Sequence, residues 1–198
     1  MDAVRVALLR EVLAGTQWPA ATRRFGAVLR GSVVSHGGGL LLVGSAEYEP
    51  WHLAAHLVDE AAWSGTPELA PTLVRHHARA GDPAHLAVGL GRIAAARRGE
   101  TLLVAAPGED TALLERVADA RRAGVTVLAL GPGEGELTAL SHETLTVPDG
   151  SELDLATVQH LVSAAAGETG RPSRARRGLR ARLSRLAESL TAPPPPPW

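Results

Sequence analysis

Lysine and cysteine are both missing from this 198-residue chain, so all 20 of its basic residues are arginines. The first absence excludes a lysine Schiff base and the phosphate-gripping lysine of a P-loop. The second excludes disulfides, thiolate nucleophiles and cysteine-based zinc or iron–sulfur centres, and a cytoplasmic location is expected. Aromatic residues make up only 3 % of the chain against 45 % hydrophobic residues, so the core is expected to be aliphatic, with Ala, Leu and Val closely packed. No apolar run approaches the ~18 residues that a membrane span needs. The opening MDAVRVALLREVLAG is broken by charge within each helical turn, and no signal peptide is expected there.

Charge of one sign is scarce in two places. Residues 171–198 hold seven Arg and a single acid, Glu188, a charge of +6; the net charge of −1 therefore leaves −7 on residues 1–170. Body and tail are expected to have different jobs. In the tail, Leu179, Leu183, Leu186 and Leu190 recur at spacings of 4, 3 and 4, the narrow apolar stripe of an Arg-rich amphipathic helix. Such a segment suits a protein partner, nucleic acid or an anionic membrane surface, or else a solvated extension that screens the acidic body. The final APPPPPW reads as extended polyproline II, a spacer or an SH3-type ligand.

Ahead of the tail, strand and helix patterns alternate. Val4, Ala7, Leu8, Val12 and Leu13 give a helical stripe over 3–14, and a second helix is expected over 19–34 before the turn SHGGG. Leu40-Leu41-Leu42-Val43 is a continuous apolar run, typical of a strand buried on both faces, and Gly44-Ser45 ends it. A helix over 50–63 starts at Pro50 and turns Leu53, Ala54, Leu57, Val58 and Ala61 inward. A short strand over 70–75 and a helix over 83–98 follow, the glycines of Gly89-Leu90-Gly91 allowing close helix packing. Strands over 101–105 and 125–130 flank a helix over 110–123 that stops at Gly124. A short helix over 134–140, a strand over 143–147 and a closing helix over 152–166 complete the series. Short connections between alternating elements predict an α/β fold, a three-layer αβα sandwich around a parallel sheet whose ligands lie at the carboxyl ends of the strands. The organisation is therefore N-terminal helices over 1–36, an α/β domain over 37–170 and the basic extension over 171–198.

Two groups of residues carry candidate chemistry. The turn Ala105-Ala106-Pro107-Gly108-Glu109-Asp110 stands between a strand and a helix, where α/β proteins often hold a phosphate on hydroxyls, backbone N–H groups and the helix N-terminus. Here Pro107 removes an N–H, Glu109 and Asp110 bring carboxylates, and Thr111 is the only nearby hydroxyl; the same acids are ordinary first-turn and capping residues. The second group is His52, His56 and Glu60, spaced i, i+4, i+8 on one helix, with His160 able to join them across the sheet edge. That set can hold zinc or another divalent metal, and the same spacing describes a solvated helix face. His76-His77 sit side by side in a loop and are given no role.

In the order GGGLLLVGS, WHLAAHLVDEA, RRGETLLVAAPGEDTALLERVADARRAGVTVLALG and LSHETLTVPDG, residues 37–167 resemble the sugar isomerase (SIS) domain, and within it the phosphoheptose isomerases. The resemblance implies a flavodoxin-like sheet, phosphosugar binding and assembly into homodimers or homotetramers. It implies ligand contacts at Gly44, Ser45, Gly108, Glu109, Asp110 and Thr111, and catalysis by His52, His56 or His160. The motifs depart from the family's. Gly44-Ser45-Ala46-Glu47 shortens a Gly-Asn-Gly-Gly-Ser turn, and Ala105, Ala106, Pro107 and Asp110 replace the hydroxyls of the phosphate loop. His56 stands where the family has a Glu, and Gln159 and His160 lie near the last-helix motif without occupying it. Isomerisation needs a base tuned near neutrality, and the departures favour a non-catalytic or weakly ligand-binding regulatory or scaffold module over a divergent, metal-dependent phosphosugar isomerase. Some relatives of the phosphoheptose isomerases act as non-catalytic protein-binding regulators.

Overall fold

Five short strands, nearly all aliphatic, set the architecture: β1 (Leu40–Val43), β2 (Pro71–Val74), β3 (Thr101–Ala105), β4 (Thr126–Gly131) and β5 (Glu143–Thr146). The computed structural model describes residues 3–168 except 80, 109 and 149, so the basic tail and Glu109 lie outside the described residues. All strand pairings are parallel, in the order β2-β1-β3-β4-β5. That is the flavodoxin-like order, with its switch point between β1 and β3. Leu40 lies opposite both Pro71 and Thr101, and Thr101 opposite Thr126, so the central strands start level.

Because successive side chains of a strand point to opposite faces, each strand feeds two cores. Leu40, Leu42, Leu103, Ala105, Leu128 and Leu130 enter one core, closed by α1 (Ala3–Val12), α2 (Trp18–His36), α3 (Trp51–Ser64) and α7 (Leu155–Ala166). Leu41, Val43, Leu102, Val104, Val127 and Ala129 enter the other, closed by α4 (Gly91–Ala94), α5 (Thr111–Arg122) and α6 (Glu136–Leu140). Each buried Leu contributes about 1.5–3 kcal/mol by leaving water, which is why continuous apolar runs become central strands. The result is a three-layer αβα sandwich. The N-terminal helices belong to its first layer: α2 lies along α7 and brings Phe25, Leu29 and Val33 into the core.

Three expectations need correction. Residues 83–98 are not one helix; only Gly91–Ala94 is helical. Gly89 and Gly91 each cost about 1 kcal/mol in a helix interior, and Arg75 captures the backbone that a helix would use. Its N–H donates to the Val88 carbonyl at 2.8 Å and its guanidinium to the Leu86 carbonyl at 3.2 Å. The glycines also do not serve helix packing, since a side chain at Gly91 would meet open space. Val58 faces outward, because Leu53, Leu57 and Ala61 already define the inner line of α3 and the next residue lies about 100° further round.

The helices end where local chemistry dictates. Asp110 and Asp154 cap α5 and α7, accepting from the N–H groups of Leu113 at 3.1 Å and Thr157 at 2.7 Å. Gly37 stops α2 in the left-handed region at φ 64°, returning its N–H to the Val33 carbonyl.

Candidate functional site

The carboxyl ends of β1, β2 and β3 meet in one hydrogen-bonded cluster. Gly44 leaves β1 in a turn so close that a Cβ there would lie 1.8 Å from the Tyr48 carbonyl oxygen. Ser45 is buried in the same turn, its carbonyl accepting from Tyr48 N–H at 3.2 Å. From the loop after β2, His76 reaches across and its Nε2 stands 3.0 Å from the Gly44 carbonyl. A carbonyl only accepts, so this nitrogen carries the hydrogen. The other ring nitrogen faces Asp110 Oδ2 at 3.7 Å, and the His76 side chain is only 7 % exposed. Asp110 completes the cluster: Oδ1 caps Leu113, and Oδ2 accepts from Ala46 N–H at 3.3 Å.

An exogenous anion at this point would be held by the α5 N-terminus and the turn after β1. The chain's own carboxylate makes those contacts instead. Gly108 and Thr111 flank it and are exposed. His76, which the sequence reading left without a role, is thus part of the site. No local motif announces it, because its partners come from β1 and from the start of α5.

A cleft of about 260 Å³ opens beside this cluster, over the ends of β3, β4 and β5. Pro107, Pro132, Val147, Pro148 and Leu155 make it largely apolar, and Ser151 and Asp154 supply its polar edge. Among the described residues, none bordering it is basic. The hydroxyl and then the N–H of Thr157 hold the Asp154 carboxyl below the usual range.

The histidines form a separate group. His52 is exposed in the first turn of α3. One turn on, His56 meets His160 of α7 with ring centroids 4.5 Å apart and planes tilted by 56°. The two approach across the α3–α7 contact and not, as expected, across the sheet edge. Burial first, then the proximity of His160, lowers the pKa of His56 below the usual imidazole value. The Nδ1 of His56 is buried with no hydrogen-bond partner among the described residues. Next to His160, Gln159 is buried and donates to the Tyr48 hydroxyl at 2.8 Å, tying α7 to the turn after β1.

Glu60 does not extend this group along one face. Four residues advance a helix by about 400°, so an i, i+4, i+8 series drifts about 40° per step. His52 is exposed, His56 half-buried and Glu60 only 3 % exposed, packed against Gly167. Among the described residues, no three His, Asp or Glu side chains form a group that could hold a metal ion.

Behind the site, Arg75 organises the loop after β2. Its Nε donates to Glu49 Oε2 at 3.1 Å, one terminal nitrogen to Asp82 at 3.1 Å, and its Cζ sits 5.0 Å from the centre of the Trp51 ring. Among the described residues, no helix is long and apolar enough to cross a membrane.

No protein-family model and no curated protein matches the chain. Solved structures do. The sugar isomerase domain of an RpiR transcription factor from Sphaerobacter thermophilus is 15 % identical with a TM-score of 0.50, over 82 % of this chain and 87 % of that one. The Vibrio vulnificus NanR protein, complexed with ManNAc-6P, is 14 % identical with a TM-score of 0.50, over 98 % of this chain and 77 % of that one. A putative phosphosugar isomerase from Silicibacter pomeroyi DSS-3 is 17 % identical with a TM-score of 0.49; this chain, 91 % covered, spans 51 % of its length. The strand order, the parallel register and the RpiR sugar isomerase domain agree: the chain has the fold of the sugar isomerase (SIS) domain.

Proposed function

We propose that the chain is a non-catalytic regulatory module on an SIS fold, working as a homodimer or homotetramer and binding a carbohydrate derivative in the cleft over β3, β4 and β5. The observation that carries this reading is Asp110. Its carboxylate takes both the α5 N-terminus and the Ala46 N–H, so a phosphate ester would have to displace a tethered anion and meet its repulsion. The absence of a basic side chain among the described residues around the cleft points the same way, toward a neutral or weakly charged sugar derivative. Two of the fold's neighbours are a transcription factor and a protein complexed with ManNAc-6P, which supports a regulatory role and the binding of a sugar derivative on this fold.

Calorimetric titration with N-acetylmannosamine, its 6-phosphate and sedoheptulose 7-phosphate tests the reading, alongside an aldose–ketose isomerase assay. The native chain is expected to show no turnover and to bind the phosphorylated sugar no better than the free one. Asp110→Ser, with the anion gone and a hydroxyl in its place, is expected to gain about tenfold or more in affinity for the phosphate esters, since hydrogen bonds to a charged group contribute about 1.5–3 kcal/mol. Turnover of any phosphosugar by the native chain overturns the proposal.

One observation favours a second reading, a divergent phosphosugar isomerase: the paired rings of His56 and His160, which can pass a proton or offer two nitrogens to a divalent metal such as zinc. It predicts metal bound in proportion to protein and activity abolished in His56→Ala/His160→Ala. A metal-free, inactive native chain removes it.

A further inference from the structure

The two edges of the parallel sheet differ in charge. Beyond the carboxyl ends of the strands, Glu47, Glu134, Glu136, Glu152 and Asp154 are exposed. The amino ends are fed by two Arg-Arg pairs, Arg97-Arg98 in the turn before β3 and Arg121-Arg122 where α5 gives way to β4. β3 and β4 are neighbours, with Thr101 opposite Thr126. Adjacent strands lie about 4.8 Å apart, so the two turns run side by side. The Arg98 side chain lies across the second turn: a Cβ at Gly124 would stand 3.3 Å from its Cβ and its Nε. Arg98 is thereby brought to the end of α5.

Helix capping accounts for only half of this cluster. Arg121 and Arg122 occupy the last turn of α5, where cations favour the helix dipole. Arg121 donates to the Ala139 carbonyl at 2.7 Å, and Arg122 pairs with Asp119 in open water, a contact that contributes little. Arg97 and Arg98 have no such task, since α4 stops at Ala94 and both residues are exposed. Among the described residues, no carbonyl or carboxylate accepts from either guanidinium. The acid beside them in the turn, Glu100, is 9 % exposed and is already held by the Arg92 side chain and the Arg97 N–H.

We propose that this amino edge of the sheet is a docking surface for a short acidic protein segment, whose carboxylates the paired guanidiniums grip in bidentate hydrogen bonds. Charge selects the occupant. A guanidinium fork matches a carboxylate or a phosphate alike, but residues 1–170 carry a net −7 and the opposite edge is acidic. A long polyanion such as duplex DNA overruns a surface of four arginines and meets that repulsive field, whereas a short acidic segment ends within the cluster. Side chains two residues apart in an extended segment share a face at a spacing of about 7 Å, so a run of about six acidic residues offers three carboxylates to the arginines. The docking surface and the cleft lie at opposite edges and can be occupied together. Docking does not depend on which ligand the cleft takes.

Fluorescence anisotropy of a labelled hexaglutamate peptide titrated with the full chain tests this. The native chain is compared with Arg97→Gln/Arg98→Gln, with Arg121→Gln/Arg122→Gln and, because the tail is also basic, with Arg176→Gln/Arg177→Gln. Each variant loses two charges, so net charge is matched. The first two are expected to bind about tenfold or more weakly, and the third within about twofold of the native chain. Equal losses in all three, or a loss confined to the third, overturn the proposal. Tighter binding of duplex DNA that depends on the same two pairs gives the edge to nucleic acid instead, and self-association abolished by Arg97→Gln/Arg98→Gln gives it to a second copy. Hydrogen exchange on the native chain keeps the test independent of how the variants fold. Saturating hexaglutamate is expected to slow exchange at 97–99 and 121–124 and to leave the turn after β1 unchanged; no slowing at 97–99 and 121–124 removes the docking surface.

Discussion

Asp110 uses both of its oxygens, one on Leu113 and one on Ala46, and so joins the start of α5 to the turn after β1. Removing it takes away a helix cap, worth about 0.5–2 kcal/mol. Asp110→Ala is therefore expected to lower the melting temperature by about 1–8 °C in a thermal scan, a loss of 1 kcal/mol corresponding to about 2–4 °C at this size. No loss would mean that Ala46 and Leu113 find other acceptors. The capping role is legible in the sequence, because Asp before a helical pattern is an ordinary signal. The contacts to Ala46 and His76 are not, since those residues approach only once β1, β2 and β3 are laid side by side. His56 gives a prediction of opposite origin. Burial and His160 hold its pKa below the ordinary value, so the unfolded chain binds the proton first as pH falls. Its stabilisation is full above about pH 6.5 and is lost as the pH drops below that value. The melting temperature should fall between pH 7 and pH 5, and His56→Gln should flatten the fall. An unchanged slope would place the titrating group elsewhere.

Elements show which patterns decide a fold and which do not. β1 and β3 were readable as apolar runs because both faces of the sheet are covered, and the start of α5 followed from its capping residue Asp110; the closing helix, expected from 152, starts only after the cap Asp154. Residues 83–98 misled because their helical periodicity is real but weaker than what competes with it. Two glycines reduce helix propensity, and Arg75 engages Val88 and Leu86 from outside the segment. The outward turn of Val58 and the inward turn of Glu60 share one cause: a helix turns 100° per residue, so periodic residues drift round it. At the other end of the segment, Glu100 ties α4 to β3. Burial pushes its carboxyl up, but the Arg92 guanidinium and the Arg97 N–H, 2.8 Å away, outweigh that and hold it low. Its contribution is present above the ordinary carboxylate range and is lost as pH falls through and below it. Glu100→Gln should thus lower the melting temperature at pH 7, with the gap to the native chain closing toward pH 3. A gap independent of pH would show packing, and not charge, to be what was lost.

On the scale of the whole molecule, β1, β3 and β4 lie between neighbours on both sides and are covered on both faces. Their amides are expected to exchange only through global unfolding, at rates that follow the overall stability measured in urea, and α1 is expected to exchange through smaller openings. Exchange of β1 faster than α1 would contradict that order. The fold was visible from the sequence because it depends on many weak, repeated signals. The site was visible only in outline because it depends on a few contacts between distant residues. Trp51 joins these scales. Its ring stands half-exposed at the start of α3 and also supports Arg75, which holds Glu49 of the segment after β1 and Asp82 of the loop after β2. His76 follows Arg75 directly and reaches Gly44 and Asp110. That one indole is therefore joined to the segment after β1 through a single guanidinium. The outer helical layer and the carboxyl edge of the sheet thus share one unbroken line of contacts that begins at Trp51.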